Sequence, residues 1–295
     1  MTKEIFAKEY LPYVMKEMAS VLETNASEKL LFDSMSYSLE AGGKRLRPLL
    51  LLATIDFFGE KLSKGHFQIA GALEMIHTYS LIHDDLPAMD NDELRRGKPT
   101  NHMVYGEALA ILAGDGLLTE ALHLVAVSEL SSAQRVWVMT ELTKASGAKG
   151  MIGGQVGDIE GEKTTLTLEE LQAVHEKKTG ALIRFAVETG CYLTAQPESI
   201  MTEMMTYADN FGVAFQIKDD LLDVLGDEAE IGKRTGMDEA LNKSTYTSLL
   251  GVEGAQKALS EHYNKAVNAL TTVKKQLGKT EEVTILEELI QTLMG

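Results

Sequence analysis

Apolar residues recur at three- and four-residue spacing along most of the chain, a pattern that predicts buried or amphipathic α-helices. The breaks between these segments are short and marked by glycine. No repeat, low-complexity tract or Pro/Ser-rich linker marks a domain boundary. We therefore predict one all-α domain over residues 1–295, with helices at about 4–22, 28–40, 46–58, 65–86, 105–128, 133–146, 168–194, 199–225, 252–275 and 281–293.

Composition agrees with a helical protein and narrows its ligands. The chain has 295 residues, enough for one large core or two ordinary domains. Proline occurs only 5 times and aromatic residues make up 6%, which favours helices. The net charge of −16 repels nucleic acids and anionic membranes. An anionic ligand would therefore need a local basic patch.

The sequence also predicts a cytoplasmic protein without membrane insertion. The first 18 residues alternate charged and apolar side chains too often for the apolar core of a signal peptide. The longest uninterrupted apolar stretch, Pro48 to Ile55, is far shorter than the ~20 residues of a membrane-spanning helix. The single cysteine, Cys191, excludes an internal disulfide and fits a reducing compartment.

The most unusual chemistry lies in two acidic clusters. The sequence DDLLD, Asp219 to Asp223, interrupts an otherwise apolar helical segment. Its outer aspartates are four residues apart, so a helix separates them by only about 40° and gives them a common face. Hard divalent cations such as Mg²⁺ take carboxylate oxygens together with substrate phosphates as ligands. This cluster therefore indicates a site for metal and phosphate.

The other cluster, DDLPAMD, is not suited to a continuous helix. Asp84 and Asp90 are six residues apart, so an uninterrupted helix would place them roughly 120° from one another. Pro87 between them breaks or distorts a helix. We therefore predict a helix end or irregular turn that returns Asp90 toward Asp84.

With further stretches of the chain, these clusters resemble the trans-prenyltransferases. DDLPAMD is similar to the first aspartate-rich motif in the form found in bacterial farnesyl diphosphate synthases, which has two residues more than DDxxD. DDLLD, preceded by FQIK, is similar to the second motif. Other matching stretches follow in family order from about residue 40 to 246, namely GGKRLRP, HTYSLIHDD, LRRGKPT, GGQVGD, KTGALI, GKRTGMD and NKSTY.

The resemblance implies an isoprenoid synthase fold, in which antiparallel helices surround a large central cavity. It also implies a magnesium-dependent head-to-tail condensation of isopentenyl diphosphate with dimethylallyl diphosphate and then geranyl diphosphate. The reaction proceeds by ionisation, condensation and elimination, and three Mg²⁺ ions accompany the allylic diphosphate. The family is typically homodimeric, so we expect a homodimer.

The same resemblance assigns roles to individual residues. The magnesium ligands are Asp84, Asp85, Asp90, Asp219, Asp220 and Asp223. The residues that bind isopentenyl diphosphate are Lys44, Arg47, His77 and Arg96. The cations that face the allylic diphosphate are Arg95, Lys178 and Lys233. The catalytic set is Asp84, Asp85, Asp90, Lys178, Thr179, Gln216 and Asp219, of which Lys178, Thr179 and Gln216 line the cavity beside the intermediate cation.

Product length in this family is limited by side chains one turn before the first aspartate motif. Those positions hold Tyr79 and Ser80. A large ring at Tyr79, together with the two-residue insertion in the motif, predicts a pocket closed after fifteen carbons. The expected product is therefore farnesyl diphosphate.

Three alternatives remain. A geranylgeranyl or longer-chain synthase would differ only in the chain lengths that it makes. A terpene cyclase would replace the second aspartate motif, which is present here. A non-catalytic partner subunit would lack some of the aspartates. One departure from many relatives is that the chain ends EELIQTLMG, without the basic tail that closes over the isopentenyl site.

Overall fold

The computed structural model describes residues 1–226, 243–281 and 283–294, which are mostly helical. The helices are α1 Lys3–Asn25, α2 Lys29–Leu39, α3 Leu46–Phe57, α4 Lys64–Asp84, α5 Asn101–Tyr105, α6 Glu107–Ala126, α7 Ser132–Ser146, α8 Met151–Gly161, α9 Leu168–His175, α10 Ala181–Leu193, α11 Glu198–Leu225, α12 Tyr246–Leu277 and α13 Ile285–Gln291. A π-helix, Glu176–Gly180, joins α9 to α10. The strands among these residues, β1 Leu94–Arg95 and β2 Lys98–Pro99, form one short antiparallel hairpin. The all-α prediction is confirmed.

The described residues form two compact units. Unit A contains residues 7–52 and 62–140, and unit B contains residues 1–6, 53–61 and 141–295 as far as they are described. Three of the four boundaries between them fall inside α1, α3 and α7, and the fourth lies in the short connection between α3 and α4. The single domain that we expect over residues 1–295 stays a prediction.

The core of unit A is built around α4, which is buried on nearly all sides from Gly65 to Ile76. A helix that is apolar around its whole circumference must be buried, and α6 packs along it. Close packing depends on glycine at Gly71, where an added Cβ would lie 3.0 Å from Met18. The last turn of this rigid helix carries the first aspartate motif.

The core of unit B is built around the long helices α11 and α12, which pack against each other. Phe211 and Ile217 are fully buried on α11. Tyr207 is also buried, and its hydroxyl donates a hydrogen bond to the carbonyl of Leu286 at 2.9 Å. The α11 helix is thereby anchored along its length before it reaches the second aspartate motif.

Helix α8 is a difference from the sequence prediction, which treated residues 146–165 as a loop because of their glycines. The glycines serve packing instead. A Cβ on Gly154 would lie 2.2 Å from the backbone nitrogen of Lys178, so only glycine allows α8 to approach the π-helix. Glycine lowers helix propensity, which is why this helix is hard to predict from composition.

Helix α12 begins earlier than predicted. Thr245 caps it, and its hydroxyl oxygen accepts a hydrogen bond from the backbone N–H of Ser248 at 3.1 Å. Gly251 has φ 68° inside the helix and bends it. The sequence prediction began after this glycine, at residue 252, because the apolar repeat is interrupted there.

Among the described residues, α6 is the one helix that is long and apolar enough to cross a membrane by length and composition. The sequence shows no uninterrupted apolar run here, because Asp115 and Glu120 lie among the leucines and alanines of α6. A core helix of a soluble protein can meet the same criterion. Only 39% of the most apolar 18-residue stretch of α6 is buried, so this helix has an exposed apolar surface.

The packing of α4 against α6 can be tested with two glycines of α6. A Cβ on Gly114 would lie 2.1 Å from Nε2 of His83, whose ring is held by a hydrogen bond to the carbonyl of Ile111 at 3.1 Å. In the control Gly116→Ala, the nearest atom is the sulfur of Met35 at 2.7 Å, on an unbranched side chain that can move. We expect Gly114→Ala to lower the free energy of unfolding by about 1–3 kcal/mol relative to Gly116→Ala. Urea denaturation measures this, and equal stabilities would contradict the packing of His83.

Candidate active site

The first aspartate motif lies where α4 ends. The helix ends at Asp84, and the following turn is closed by the backbone N–H of Asp90, which donates to the carbonyl of Asp84 at 2.9 Å. Asn91 has φ 55°, and its N–H donates to the carbonyl of Leu86 at 3.1 Å. The predicted irregular turn is confirmed. It places the backbone of Asp90 beside that of Asp84.

A tight hairpin then returns two arginines to this motif. Arg96 and Gly97, between β1 and β2, have φ 55° and 73°, the positive values of a two-residue type I′ turn. Arg95 donates from Nε to Oδ1 of the buried Asp85 at 2.7 Å. Burial raises the pKa of Asp85, and the hydrogen bond from Arg95 opposes this rise. The sequence analysis did not predict the hairpin, because each strand has only two residues.

Arg96 reaches the loop before α3, here called the GGKR loop, Gly42–Arg45. Arg96 donates a hydrogen bond to the carbonyl of Gly42. Gly43 has φ 111°, and a Cβ there would lie 2.4 Å from the guanidinium carbon of Arg96. The positive φ therefore favours glycine at this position, and a side chain there would also displace the guanidinium of Arg96. Lys44 is exposed, whereas Arg47 at the start of α3 is buried.

His77 lies on α4 among several of these cations. Burial lowers the pKa of His77 well below its usual value, and the positive charges of Arg47, Arg96, Arg95 and Arg45 lower it further. The imidazole is therefore neutral at physiological pH. A concentration of positive charge of this kind favours an anionic ligand. The structure thus brings Arg47 and Arg96, two of the residues predicted to bind isopentenyl diphosphate, near His77, and their binding of this substrate stays a prediction.

The two positions predicted to limit product length also lie on α4. Tyr79 is 5% exposed, and its ring makes an edge contact with His83, with ring centroids 5.8 Å apart. Burial raises the pKa of its phenol to about 12, and its hydroxyl has no hydrogen-bond partner. The hydroxyl of Ser80 donates to the carbonyl of His77 at 2.9 Å. Tyr79 is therefore a packing residue whose hydroxyl is not anchored.

In unit B, the π-helix holds two of the three residues predicted to line the cavity beside the intermediate cation. Lys178 and Thr179 lie within the π-helix. The hydroxyl of Thr179 donates to Oε1 of Gln216 on α11 at 3.1 Å. The amide of Gln216 donates in turn to Oδ1 of Asp220 at 3.2 Å. The π-helix is thereby connected to the second aspartate motif.

The second motif is divided by burial. Asp219 is exposed, whereas Asp220 and Asp223 are buried. The other oxygen of Asp220, Oδ2, accepts the backbone N–H of Tyr246 at 2.8 Å. Both carboxylate oxygens of Asp220 are thus hydrogen-bonded within the protein, a difference from Asp219 that helical spacing does not reveal.

Three further residues support this region, although the sequence analysis gave them no role. Asp158 on α8 accepts a hydrogen bond from Nζ of Lys178 at 2.6 Å. Helix α8 thereby holds Lys178, which was predicted to face the allylic diphosphate. His175 stacks against Tyr246, with ring centroids 5.9 Å apart. Burial lowers the pKa of His175 to about 4. Asp158 and Tyr246 lie in the motifs GGQVGD and NKSTY, so the sequence contained a signal from which their importance could have been predicted.

These carboxylates suit magnesium by their chemistry. Among residues 1–226, 243–281 and 283–294, no three His, Cys, Asp or Glu side chains already form a group that could hold a metal ion. Magnesium is usually held by one or two carboxylates together with phosphates and water, so the donor set fits an ion that arrives with a diphosphate. The predicted ligand Lys233 of the allylic diphosphate lies outside the described residues.

Comparison with known proteins agrees with this site. A model of the polyprenyl synthetase family matches residues 28–280. The farnesyl diphosphate synthase of Bacillus subtilis is 52% identical over 236 residues, 79% of each chain. The geranylgeranyl diphosphate synthase of Cyanophora paradoxa is 47% identical over 230 residues, 77% of this chain and 76% of that one.

A solved structure extends the likeness to the fold. The geranyltransferase of Helicobacter pylori, complexed with magnesium and isoprenyl diphosphate, matches with a TM-score of 0.80 and 33% identity, covering 97% of this chain and 96% of its own. The predicted isoprenoid synthase fold is confirmed. With this structural match and the family match over most of its length, the chain belongs to the polyprenyl synthetase family.

Proposed function

We propose that this prenyltransferase is a farnesyl diphosphate synthase. It condenses isopentenyl diphosphate with dimethylallyl diphosphate and then with the geranyl diphosphate so formed. The observation that carries the proposal is that each aspartate motif is accompanied by a cation held in place by a carboxylate. Arg95 pairs with Asp85 at 2.5 Å, and Lys178 pairs with Asp158 at 2.6 Å. Carboxylates that bind metal and cations that bind phosphate are what ionisation of an allylic diphosphate requires.

Magnesium is the metal that we assign to the site, as three ions that bind with the allylic diphosphate. When bound, they supply positive charge that stabilises the departing diphosphate. The exposed Asp219 and the half-buried Asp84 and Asp90 are the aspartates with most access to such ions. The complete proposed ligand set is Asp84, Asp85, Asp90, Asp219, Asp220 and Asp223.

The chain's own cations complete the neutralisation of the diphosphates. We assign Arg95, Lys178 and Lys233 to the allylic substrate. A pair of opposite charges at about 4 Å is worth about 1 kcal/mol in water and ~4 kcal/mol at an intermediate dielectric. Several such contacts are therefore needed to hold a multiply charged anion. The isopentenyl diphosphate binds to the separate basic group in unit A, which consists of the cations Lys44, Arg47 and Arg96 and the neutral His77.

The allylic carbocation requires dipoles that stabilise it without reacting. The π-helix provides them beside Lys178, because its backbone deviates from the regular α-helical hydrogen-bond pattern. The hydrogen bond from Thr179 to Gln216 fixes the direction of both side chains. The double bond of isopentenyl diphosphate attacks the cation, and the released diphosphate removes the proton. No side-chain nucleophile is needed.

We also propose that the enzyme is a cytoplasmic homodimer that buries the exposed face of α5 and α6. The large apolar side chains on this face are 45–54% exposed, namely Met103, Val104, Ile111 and Leu112. Contiguous exposed apolar surface marks an interaction site. A second copy is favoured over a membrane as the partner, because the net charge of −16 disfavours an anionic bilayer.

The direct test is an assay with the purified protein, isopentenyl and dimethylallyl diphosphates and Mg²⁺. The alcohols released by phosphatase are then identified by chromatography. We expect farnesol as the main alcohol, no product in excess EDTA, and recovery when Mg²⁺ is restored, because the carboxylates need a divalent ion to act on the leaving group.

The matched control for this assay is Asp84→Ala, which should remain folded and lose most of the activity. Geranylgeraniol as the main alcohol would overturn the product assignment and place the chain with synthases such as that of Cyanophora paradoxa. A wild-type protein without any product would contradict the catalytic assignment and favour a non-catalytic partner subunit.

The different burial of Asp219 and Asp220 predicts that Asp220 contributes mainly to the stability of the fold and Asp219 mainly to the binding of Mg²⁺. Asp220→Ala removes the acceptor for Gln216 and for the backbone of Tyr246, so we expect the free energy of unfolding to fall by about 1–3 kcal/mol. Asp219→Ala changes an exposed position and should alter it by less than about 0.5 kcal/mol. Asp219→Ala should instead raise the Mg²⁺ concentration needed for half-maximal activity. Urea denaturation and a Mg²⁺ titration measure both effects, and equal losses of stability would contradict this division.

Tyr79→Ala should lengthen the product, because it removes the ring that we expect to close the pocket. The control Tyr79→Phe keeps the ring and removes only a buried hydroxyl without a hydrogen-bond partner. It should therefore still make farnesyl diphosphate, with unchanged or higher stability. Chromatography of the alcohols compares the two variants. If the alanine variant makes only the fifteen-carbon product, another residue limits chain length.

A further inference from the structure

A buried ion pair in unit A has no role in the assignments above. Arg45 NH1 lies 2.6 Å from Glu74 Oε1, and the side chains are 7% and 1% exposed. Arg45 also donates a hydrogen bond to the carbonyl of Leu39 at the end of α2. The pair therefore joins the GGKR loop to the middle of α4 and to α2.

The backbone of Arg45 indicates that this pair holds the loop in a strained form. Arg45 has φ 47°, in the left-handed region that residues other than glycine seldom adopt. Gly42 and Gly43 in the same loop also have positive φ. Arg45 has a Cβ, so its left-handed backbone conformation is sterically unfavourable. We infer that its side-chain contacts stabilise this conformation.

The strained loop determines where the neighbouring cations lie. Lys44 before it is exposed, while Arg47 after it is buried near His77. Glu74 precedes His77 by three residues on α4, so both lie on one face of the helix. The pair thus connects two of the three chain segments that carry the basic group of unit A, namely the start of α3 and helix α4.

Glu74 also acts on that group through its charge. Its second oxygen, Oε2, is buried without a hydrogen-bond partner, so the carboxylate is not fully compensated by hydrogen bonds. Burial and the nearby positive charge of Arg45 lower the pKa of Arg96, whereas the negative charge of Glu74 raises it. Glu74 therefore reduces the repulsion among the clustered cations.

We propose that Arg45 and Glu74 are positioning residues for the isopentenyl diphosphate site. Their ion pair sets the GGKR loop so that Lys44, Arg47 and His77 can contact one diphosphate. Arg45 is not itself a ligand, because its guanidinium is buried and already bound to Glu74 and Leu39. This inference rests on the proposed function, since it concerns the binding of that substrate.

The test is the double variant Arg45→Met/Glu74→Met, which replaces the pair by unbranched apolar side chains. Such replacements of buried pairs often preserve folding, whereas a single change leaves an uncompensated buried charge. We expect isopentenyl diphosphate to bind roughly tenfold more weakly in calorimetry, with a matching rise in its KM. The KM for dimethylallyl diphosphate should change less than about twofold. A merely structural pair would change the melting temperature and leave this ratio of KM values unaltered.

Glu74→Gln separates positioning from direct binding. It keeps an acceptor for Arg45 but leaves the guanidinium charge unneutralised. If Arg45 bound the diphosphate, this variant would bind isopentenyl diphosphate more tightly, which would overturn the proposal. We expect weaker binding, because the loop is held less firmly.

The matched control is the exposed pair Lys64–Glu129, at 2.7 Å with side chains 52% and 59% exposed. Lys64→Met/Glu129→Met should leave both KM values unchanged. Binding by calorimetry does not require turnover, so the pair is tested even if the wild-type protein makes no prenyl product. A folded Arg45→Met/Glu74→Met variant that binds isopentenyl diphosphate as the wild type does would overturn the inference.

Discussion

In each unit, charged side chains are paired with opposite charges held at short distance. Desolvating a charge is costly unless a counter-charge or hydrogen bonds compensate it, so a charge that is removed from water needs such a partner. Three ion pairs meet this need on the two units, namely Arg45–Glu74, Arg95–Asp85 and Lys178–Asp158. Each pair ties a residue on a loop, hairpin or π-helix to a neighbouring helix. The fold therefore positions these cations without a bound substrate.

The functional side chains lie where regular helix geometry is interrupted. The helix α4 ends at Asp84, a type I′ turn follows at Arg96, and a π-helix carries Thr179. Interruptions of this kind expose backbone groups and change side-chain directions that a continuous helix would fix. The long buried helices around them supply the rigidity, because α4 and α11 are anchored in the cores of their units.

The family relation and the local chemistry support one reaction at different levels of detail. Similarity to named synthases of fifteen-carbon and twenty-carbon diphosphates indicates prenyl transfer, and we propose that Tyr79 decides between the two product lengths. The ring of Tyr79 is buried within the last two turns of α4. A side chain that packs against His83 on the same helix cannot move aside easily when a longer chain presses on it.

The all-α class and most helix positions could be predicted from residue order, and the motifs propose which charged residues form the site. Apolar spacing identifies a helix wherever one face is buried, and motifs such as DDLPAMD keep their chemistry in a fixed local order. The break at Pro87 was predictable for the same reason, since proline acts on its own backbone. Helix α8 was not, because its glycines hide a close approach to the π-helix that exists only after folding.

Partnerships between distant residues required the folded chain. Glu74 is a single acid in an apolar helix, and nothing local pairs it with Arg45, 29 residues earlier. Neighbouring aspartates of DDLLD look alike in sequence, yet the backbone of Tyr246 binds Asp220 and leaves Asp219 exposed. Local order thus decides which chemical groups are present and which secondary structure they adopt. Burial and pairing decide what each group can do, because both depend on neighbours that only long-range packing supplies.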